Sequence, residues 1–465
     1  MLRGDLGENS CIEAQQRGGR MTDKPWAEMS PAEKRAWRIQ TWRHPEIDFV
    51  SAEAEALYRA RVDRVIAAIN LTTPDRVPVR LAVGFWPAKA AGLSPYDAMR
   101  DTAAALQAWK DFNLRFQPDV SVDPLNNTVP AAVFNLLDYR LYAWPGHGVA
   151  RSAGYQYKER EWMLVEEYDH LISDPTDFLL RVYLPRAVGV YGGFAGLSSF
   201  WDYIELPGVA GQVSGWGSDD MVTGLRNLLK AAKIANKWLK LALAAMQEVQ
   251  ALGFPRYVGS STKAPFDMLG DTLRGTKGII LDMFRCPDKV IAACERLVQV
   301  AVDWPLRKAR RPSIPVCFIP LHKGADGFMS DEQFRLFYWP SLRQTILGLI
   351  DQGLIPLLFA EGCYNSRLEI VKDLPEGSTI WFFDQTDMAL AKQTVGKVAC
   401  IQGNVPLSLL YAGTPERTAD YVRRLIEVAG EGGGFILDLG AIADGGNEQN
   451  LETMMRAARE YGVYK

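Results

Sequence analysis

The second half of the chain repeats one pattern: a short apolar run, a polar loop, then an amphipathic helix closed by glycine. IPVCFI (314–319) leads into PLHKGADGFM and a helix opening at Ser330, with Gln333 three residues later in capping-box spacing. LIPLLF (354–359) leads into AEGCYN, and Ser366 with Glu369 repeats that spacing. TIWFF (379–383) leads into DQTD, while KVACIQG (397–403) leads into NVPLSLLYAG and a helix begun by Thr414 and Pro415. GFILDLG (434–440) precedes AIADGGNEQN and the closing helix. The apolar runs do not alternate with polar residues, so each expects cover on both faces, as in parallel βα units. Five such units in about 150 residues imply roughly eight along the chain, hence an α/β fold of the TIM-type (β/α) barrel kind, with a doubly wound open sheet as the alternative.

Earlier segments fit this frame. RVPVRLAV (76–83), ended by Gly84, reads as a first strand, and DVSVDPL (119–125) as a second. SAEAEALYRARVDRVIAAI carries apolar residues at helical spacing and belongs to an N-terminal helical extension. The expected organisation is a flexible leader at 1–20 ahead of Met21, the helical extension at 21–70 and the barrel at 71–465. Residues 126–255, rich in Trp, Tyr, Phe and Gly, receive no assignment from their pattern.

Composition narrows the class of partner. The 465 residues carry a net charge of −3 with both signs interspersed, so no footprint for nucleic acid appears and a small-molecule partner is expected. Six scattered cysteines without a CxxC pair indicate neither a disulfide framework nor a zinc ribbon, which fits a reducing cytoplasm. No apolar run reaches the roughly 18 residues that span a bilayer, so no membrane role is expected.

In parallel βα units the residues just after each strand gather at one rim, where such barrels build their active sites. The rim candidates are His322, Lys323, Glu361, Cys363, Asp384, Gln385, Asp387, Gln402, Asn404, Asp438, Asp444 and Asn447, and Asn126 after the second strand is a further candidate. Glu361 stands two residues before Cys363. The pair suits a metal grip, proton chemistry by the carboxyl, or an ordinary strand-to-helix turn.

Several ordered motifs resemble the uroporphyrinogen decarboxylase superfamily: DRVPV (75–79), APFDMLGDTLRGTKGIILDMFRCPDKVIAACERL (264–297), MSDEQFRLFYWPSL (329–342), IQGNVPLSLLYAGTPE (401–416) and the final GGFILDLG with NLETMMRAAREYG. The resemblance implies a TIM barrel used for tetrapyrrole decarboxylation or corrinoid-linked methyl transfer. The decarboxylase branch carries an arginine-rich MRQAGR-type segment. The matching stretch here, VRLAVGFWPAKAAG (79–92), separates Arg80 and Lys89 by Phe85, Trp86 and Pro87, which weakens a clamp for a polyanion. The thiol-methylating branch carries a zinc-binding His-x-Cys and a distant Cys. Glu361 occupies the histidine's place ahead of Cys363, and Ala441 falls where the distant thiol would be. Zinc, if bound, would be held by Glu361 and Cys363; the favoured reading has no metal.

That reading is a cobalamin-dependent O-demethylase. It would move the methyl group of a small, aromatic methyl ether to cob(I)alamin, with Glu361, His322 and Asp384 catalytic. Phe85, Trp86, Asn126, Cys363, Gln385, Gln402, Asn404 and Asp438 are then expected to touch substrate or cofactor. No D-x-H-x-x-G stretch of a corrinoid domain occurs, so the cobalamin is expected on a separate corrinoid protein or free. A zinc-thiol methyltransferase, a uroporphyrinogen-type decarboxylase and a non-catalytic ligand-binding barrel are the alternatives.

Overall fold

The computed structural model describes residues 24–307 and 313–464; the expected leader and Met21 lie outside the described residues. Among the described residues six parallel strands run in sequence order: Ser260–Ser261, Val316–Leu321, Ile355–Ala360, Ile380–Phe383, Cys400–Val405 and Phe435–Leu439. Every residue of Ile355–Ala360 and Phe435–Leu439 is buried, the two-sided cover that the continuous apolar runs require.

Two further segments close the circle. The backbone at 78–83 bridges the last strand, with Leu437 N donating to Pro78 O at 2.9 Å and Arg80 N to Leu437 O at 2.9 Å. It also accepts from the second segment, Asp119 N to Val79 O at 2.8 Å, and Ser121 N then reaches Pro255 O at 2.8 Å ahead of the third segment. The result is a closed (β/α) barrel of eight positions with one continuous core.

The first position forms only isolated bridges and the second only single backbone hydrogen bonds, instead of the regular strands expected. Side chains take over the ladder's bonds there. Pro78 has no N–H, Val79 N donates to the Asp119 carboxylate at 2.7 Å, and Val122 N donates to Asn113 Oδ1 at 2.8 Å.

The N-terminal helices Pro31–Arg43 and Ala52–Ile69 lie at the end opposite the rim, where Lys34 and Arg38 donate to the Asp351 and Gln352 carbonyls and Trp42 to the Arg256 carbonyl, all ahead of their strands. Ser30 and Glu33 form a full capping box on the first. Arg64 of the second reaches buried Asp119 at 2.6 Å and Asp75 across a second ion pair, tying the extension to the barrel. The unassigned region resolves into a helix at Ala131–Leu137, a small sheet of Tyr142–Pro145, Gly148–Val149 and Gln156–Tyr157, and the long helix Asp219–Ala251.

One capping expectation is corrected. Ser366 does not open a helix with Glu369, because its hydroxyl bonds Asp326 (3.2 Å) and Asp331 (2.7 Å), and the helix begins only at Leu368. Adjacent Arg367, fully buried, pairs with Asp331 and donates to the Gly324 and Met329 carbonyls, so this loop is anchored by charge instead of a cap. The Ser330 and Gln333 box forms as expected, and the helix beyond it widens into a π turn at Phe334–Tyr338, just before Pro340.

Candidate active site

A cavity of about 600 Å³ opens at the carboxyl end of the barrel, lined by His322, Phe328, Phe359, Glu361, Asp384 and Ile442 among others. The three catalytic candidates come from the loops after the fourth, fifth and sixth barrel positions, so tertiary closure gathers them at one mouth. Phe359 stacks on Phe382 with ring centroids 4.4 Å apart and forms an aromatic floor.

His322 is fixed from beneath. Its Nδ1 lies 2.5 Å from Asp271 Oδ2 and its Nε2 lies 3.8 Å from Glu361 Oε1. Asp271 is also held by Lys263 at 2.8 Å and Lys323 at 3.4 Å. Fully buried Asp267 accepts the backbone N–H groups of His322 and Lys323, each at 3.0 Å, and the Tyr338 hydroxyl at 2.8 Å. These bonds fix the loop that carries the imidazole.

Charge states follow from these contacts. Burial raises the Glu361 carboxyl above its ordinary value; the His322 charge opposes this, while Asp384 and Asp271 add to it. Burial also raises Asp384, against the 3.1 Å hydrogen bond from Gly362 N–H. Burial alone would lower His322, but the bond to Asp271 and the charges of Asp267, Asp271 and Glu361 override it and carry it up. Burial alone would raise Asp271, yet the His322 bond and the Lys263 charge hold it well below the usual carboxylate range. The mouth therefore holds an imidazole shifted toward its cationic form, an anchored anion behind it, and two carboxyls shifted toward the neutral form.

The remaining candidates divide by position. Gln402 and Asp438, both fully buried, sit inside the barrel: Asp438 accepts from Arg80 (2.7 Å), Ala82 N (2.8 Å) and Gln402 Nε2 (2.8 Å), and Tyr257 donates to Gln402 Oε1 (2.7 Å). Asn404 donates to the Asp384 and Thr386 carbonyls at 3.0 and 2.8 Å, which shapes the Asp384 loop. Exposed Gln385 donates to Asp384 at 3.3 Å. Phe85 and Trp86 are buried, packed on Tyr155 and Phe112, and are not among the cavity's lining residues; Asn126 is exposed on a separate turn.

Cys363 also lies off the lining, its thiol bonded to Asp326 and raised by burial, then by that carboxylate. Among the described residues no three His, Cys, Asp or Glu side chains converge as metal ligands. Among those residues Glu361 and Cys363 thus lack the further donors a zinc site needs.

The pattern reading missed Lys263, Asp267 and Asp271. Their signal was present in KAPFDMLGD, directly after a strand: two acids four residues apart face the same side of a helical turn, with a lysine just ahead. The helix there widens into a π turn at Met268–Leu273, a distortion found at many functional sites.

With the geometry established, comparison with known proteins places the chain. Residues 217–461, more than half its length, match the family model for uroporphyrinogen decarboxylase (URO-D). The chain belongs to the uroporphyrinogen decarboxylase family. A uroporphyrinogen decarboxylase from Cellvibrio japonicus (strain Ueda107) is 32% identical over 119 residues, which cover 24% of this chain and 32% of that enzyme. The match thus spans about a third of the curated relative's length. A methyltransferase from Methanosarcina mazei shares the fold at a TM-score of 0.51 and 13% identity, over 86% of this chain and 98% of that one. This URO-D family member therefore has, as the motifs implied, a barrel also used by a methyltransferase.

Proposed function

We propose that this URO-D family member is a methyltransferase that takes the methyl group of a small aromatic methyl ether and passes it to cob(I)alamin presented by a separate corrinoid protein. Glu361 carries the reading: it is a carboxyl raised toward neutrality beside an aromatic-floored cavity. Loss of a methyl group from an ether leaves an alkoxide or phenoxide, and a carboxylic acid positioned at that oxygen supplies the missing proton. Phe328 and Phe359 give the cavity an aromatic lining suited to an aromatic substrate, and Asp384 supplies a second carboxyl at the mouth. Cob(I)alamin, written here as a co-substrate, supplies the electron pair that takes the methyl group. The open mouth gives it a route to the ether, and exposed Ile442 offers an apolar contact at the lip.

Decarboxylation of an acidic tetrapyrrole has less support. Arg80 is paired with Asp438 inside the barrel, and Lys89 is exposed on a separate helix, so the two do not form an anion clamp at the cavity.

The direct test mixes purified protein, cob(I)alamin and 2-methoxyphenol and follows loss of the cob(I)alamin absorption together with release of catechol. Methyl transfer above the protein-free rate is expected. Its absence across a panel of methoxylated aromatics, with the fold intact, overturns the reading.

A further inference from the structure

We propose that Asp271 is a positioning residue that fixes the His322 tautomer, so that Nε2 returns a proton to Glu361 after each turnover. This rests on the reading of Glu361 as the proton donor. Transfer of a methyl group from an ether to a cob(I)alamin acceptor consumes one proton: the C–O bond breaks with its electron pair on oxygen, and that oxygen takes the proton. Glu361 then carries a negative charge and has to be recharged before the next substrate. His322 is paired with its carboxyl, with Nε2 at 3.8 Å from Oε1, and is the group placed to recharge it.

The opposite edge of the ring decides which nitrogen can act. Nδ1 sits 2.5 Å from Asp271 Oδ2, so after His322 gives up the Nε2 proton the remaining N–H stays on Nδ1, donated to a carboxylate. Neutral imidazole then presents a bare Nε2 to the cavity, ready to take a proton from water and complete the cycle. Lys263 at 2.8 Å and Lys323 at 3.4 Å keep Asp271 an anion, while Lys323 is itself anchored by Thr276 Oγ1 at 2.5 Å.

The groups facing the ring are thus Asp271, Lys263 and Lys323 on one edge and Glu361 on the other, with Asp267 holding its backbone and Asp384 further across the mouth. Asp271 comes from the third barrel unit, His322 from the fourth and Glu361 from the fifth, so the relay crosses three neighbouring loops.

The test uses the full chain labelled with ¹⁵N at its four histidines, the His322 signals being assigned by their loss in His322→Gln. In the parent protein the neutral ring is expected with a protonated Nδ1 and a bare Nε2, and the imidazolium persists above the pH at which a free imidazole titrates. In Asp271→Asn the midpoint falls and the Nδ1–H preference is lost, while repeated turnover drops about 100-fold or more, within the span for a misplaced acid–base group. Lys263→Gln, which leaves both relay partners in place, removes a cation from the Asp271 oxygen that holds Nδ1, so it moves the midpoint up while keeping the Nδ1–H tautomer, and it provides the readout if Asp271→Asn does not fold. An unchanged tautomer and midpoint in either folded variant overturns the relay, even if the protein transfers methyl groups. Failure of methyl transfer with the expected ¹⁵N behaviour overturns the demethylase reading and leaves the imidazole geometry standing.

Discussion

Replacing Glu361 by Gln preserves size and removes the transferable proton. The side chain stands at the mouth with 46% of its surface exposed and meets His322 Nε2 only at 3.8 Å, so the fold is expected to survive. If Glu361 protonates the leaving oxygen, the loss is that of one general acid, about 10²- to 10⁴-fold in rate, or about 3 to 5 kcal/mol of barrier. The pH dependence has a definite sign. The carboxyl is raised above 4.5 in the fold, so the active protonated form is depleted, and the rate falls, as pH rises through that raised value. The same shift acts on stability. The folded site prefers the protonated carboxyl, so its contribution is complete below 4.5 and is lost as pH rises through the raised value. The assay is the initial rate of cob(I)alamin loss with 2-methoxyphenol across a pH series, for parent and variant, with circular dichroism as the control for folding. A folded Glu361→Gln variant that keeps the parent rate, or the parent's falling limb at high pH, refutes the acid role.

Three further outcomes follow from other parts of the molecule. Asp438→Ala removes the acceptor of the Arg80 pair and of three further donors inside the barrel, and should cost about 3–5 kcal/mol in denaturant unfolding, as for breaking a buried pair. Gly84→Ala would place a Cβ 2.1 Å from Asp444 Oδ1, which accepts the Phe85 N–H at 2.8 Å; loss of that bond should lower stability by about 1–3 kcal/mol, read as a fall in the unfolding midpoint. Cys363→Ser should leave methyl transfer within about twofold of the parent, since surface substitutions away from a site are usually near neutral and the thiol faces Asp326; a large loss would return the thiol to the site.

Much of the site's location was legible, and much of its machinery was not. Glu361, His322 and Asp384 were readable because each directly follows an apolar run, and parallel strands deliver such residues to one rim. Phe85 and Trp86 follow a strand too, yet their rings turn into the core against Tyr155 and Phe112. Position after a strand fixes the height of a residue in the barrel but not the direction of its side chain. Asp438 and Gln402 show the same gap. Both lie within strands and point inward, where Arg80 and Tyr257 satisfy them.

The sequence by itself determined the barrel and its rim. Repeated two-sided apolar runs can be buried only as parallel strands covered by helices, and that requirement acts locally within each unit. Tertiary structure decided which polar groups meet. Asp271 and His322 are separated by 51 residues and His322 and Glu361 by 39, yet their side chains share one mouth. The charge state of each depends on its burial and on charges brought in by other units, neither of which a local pattern encodes. Closure of the barrel turned a carboxyl beside a cysteine into a carboxyl beside an imidazole.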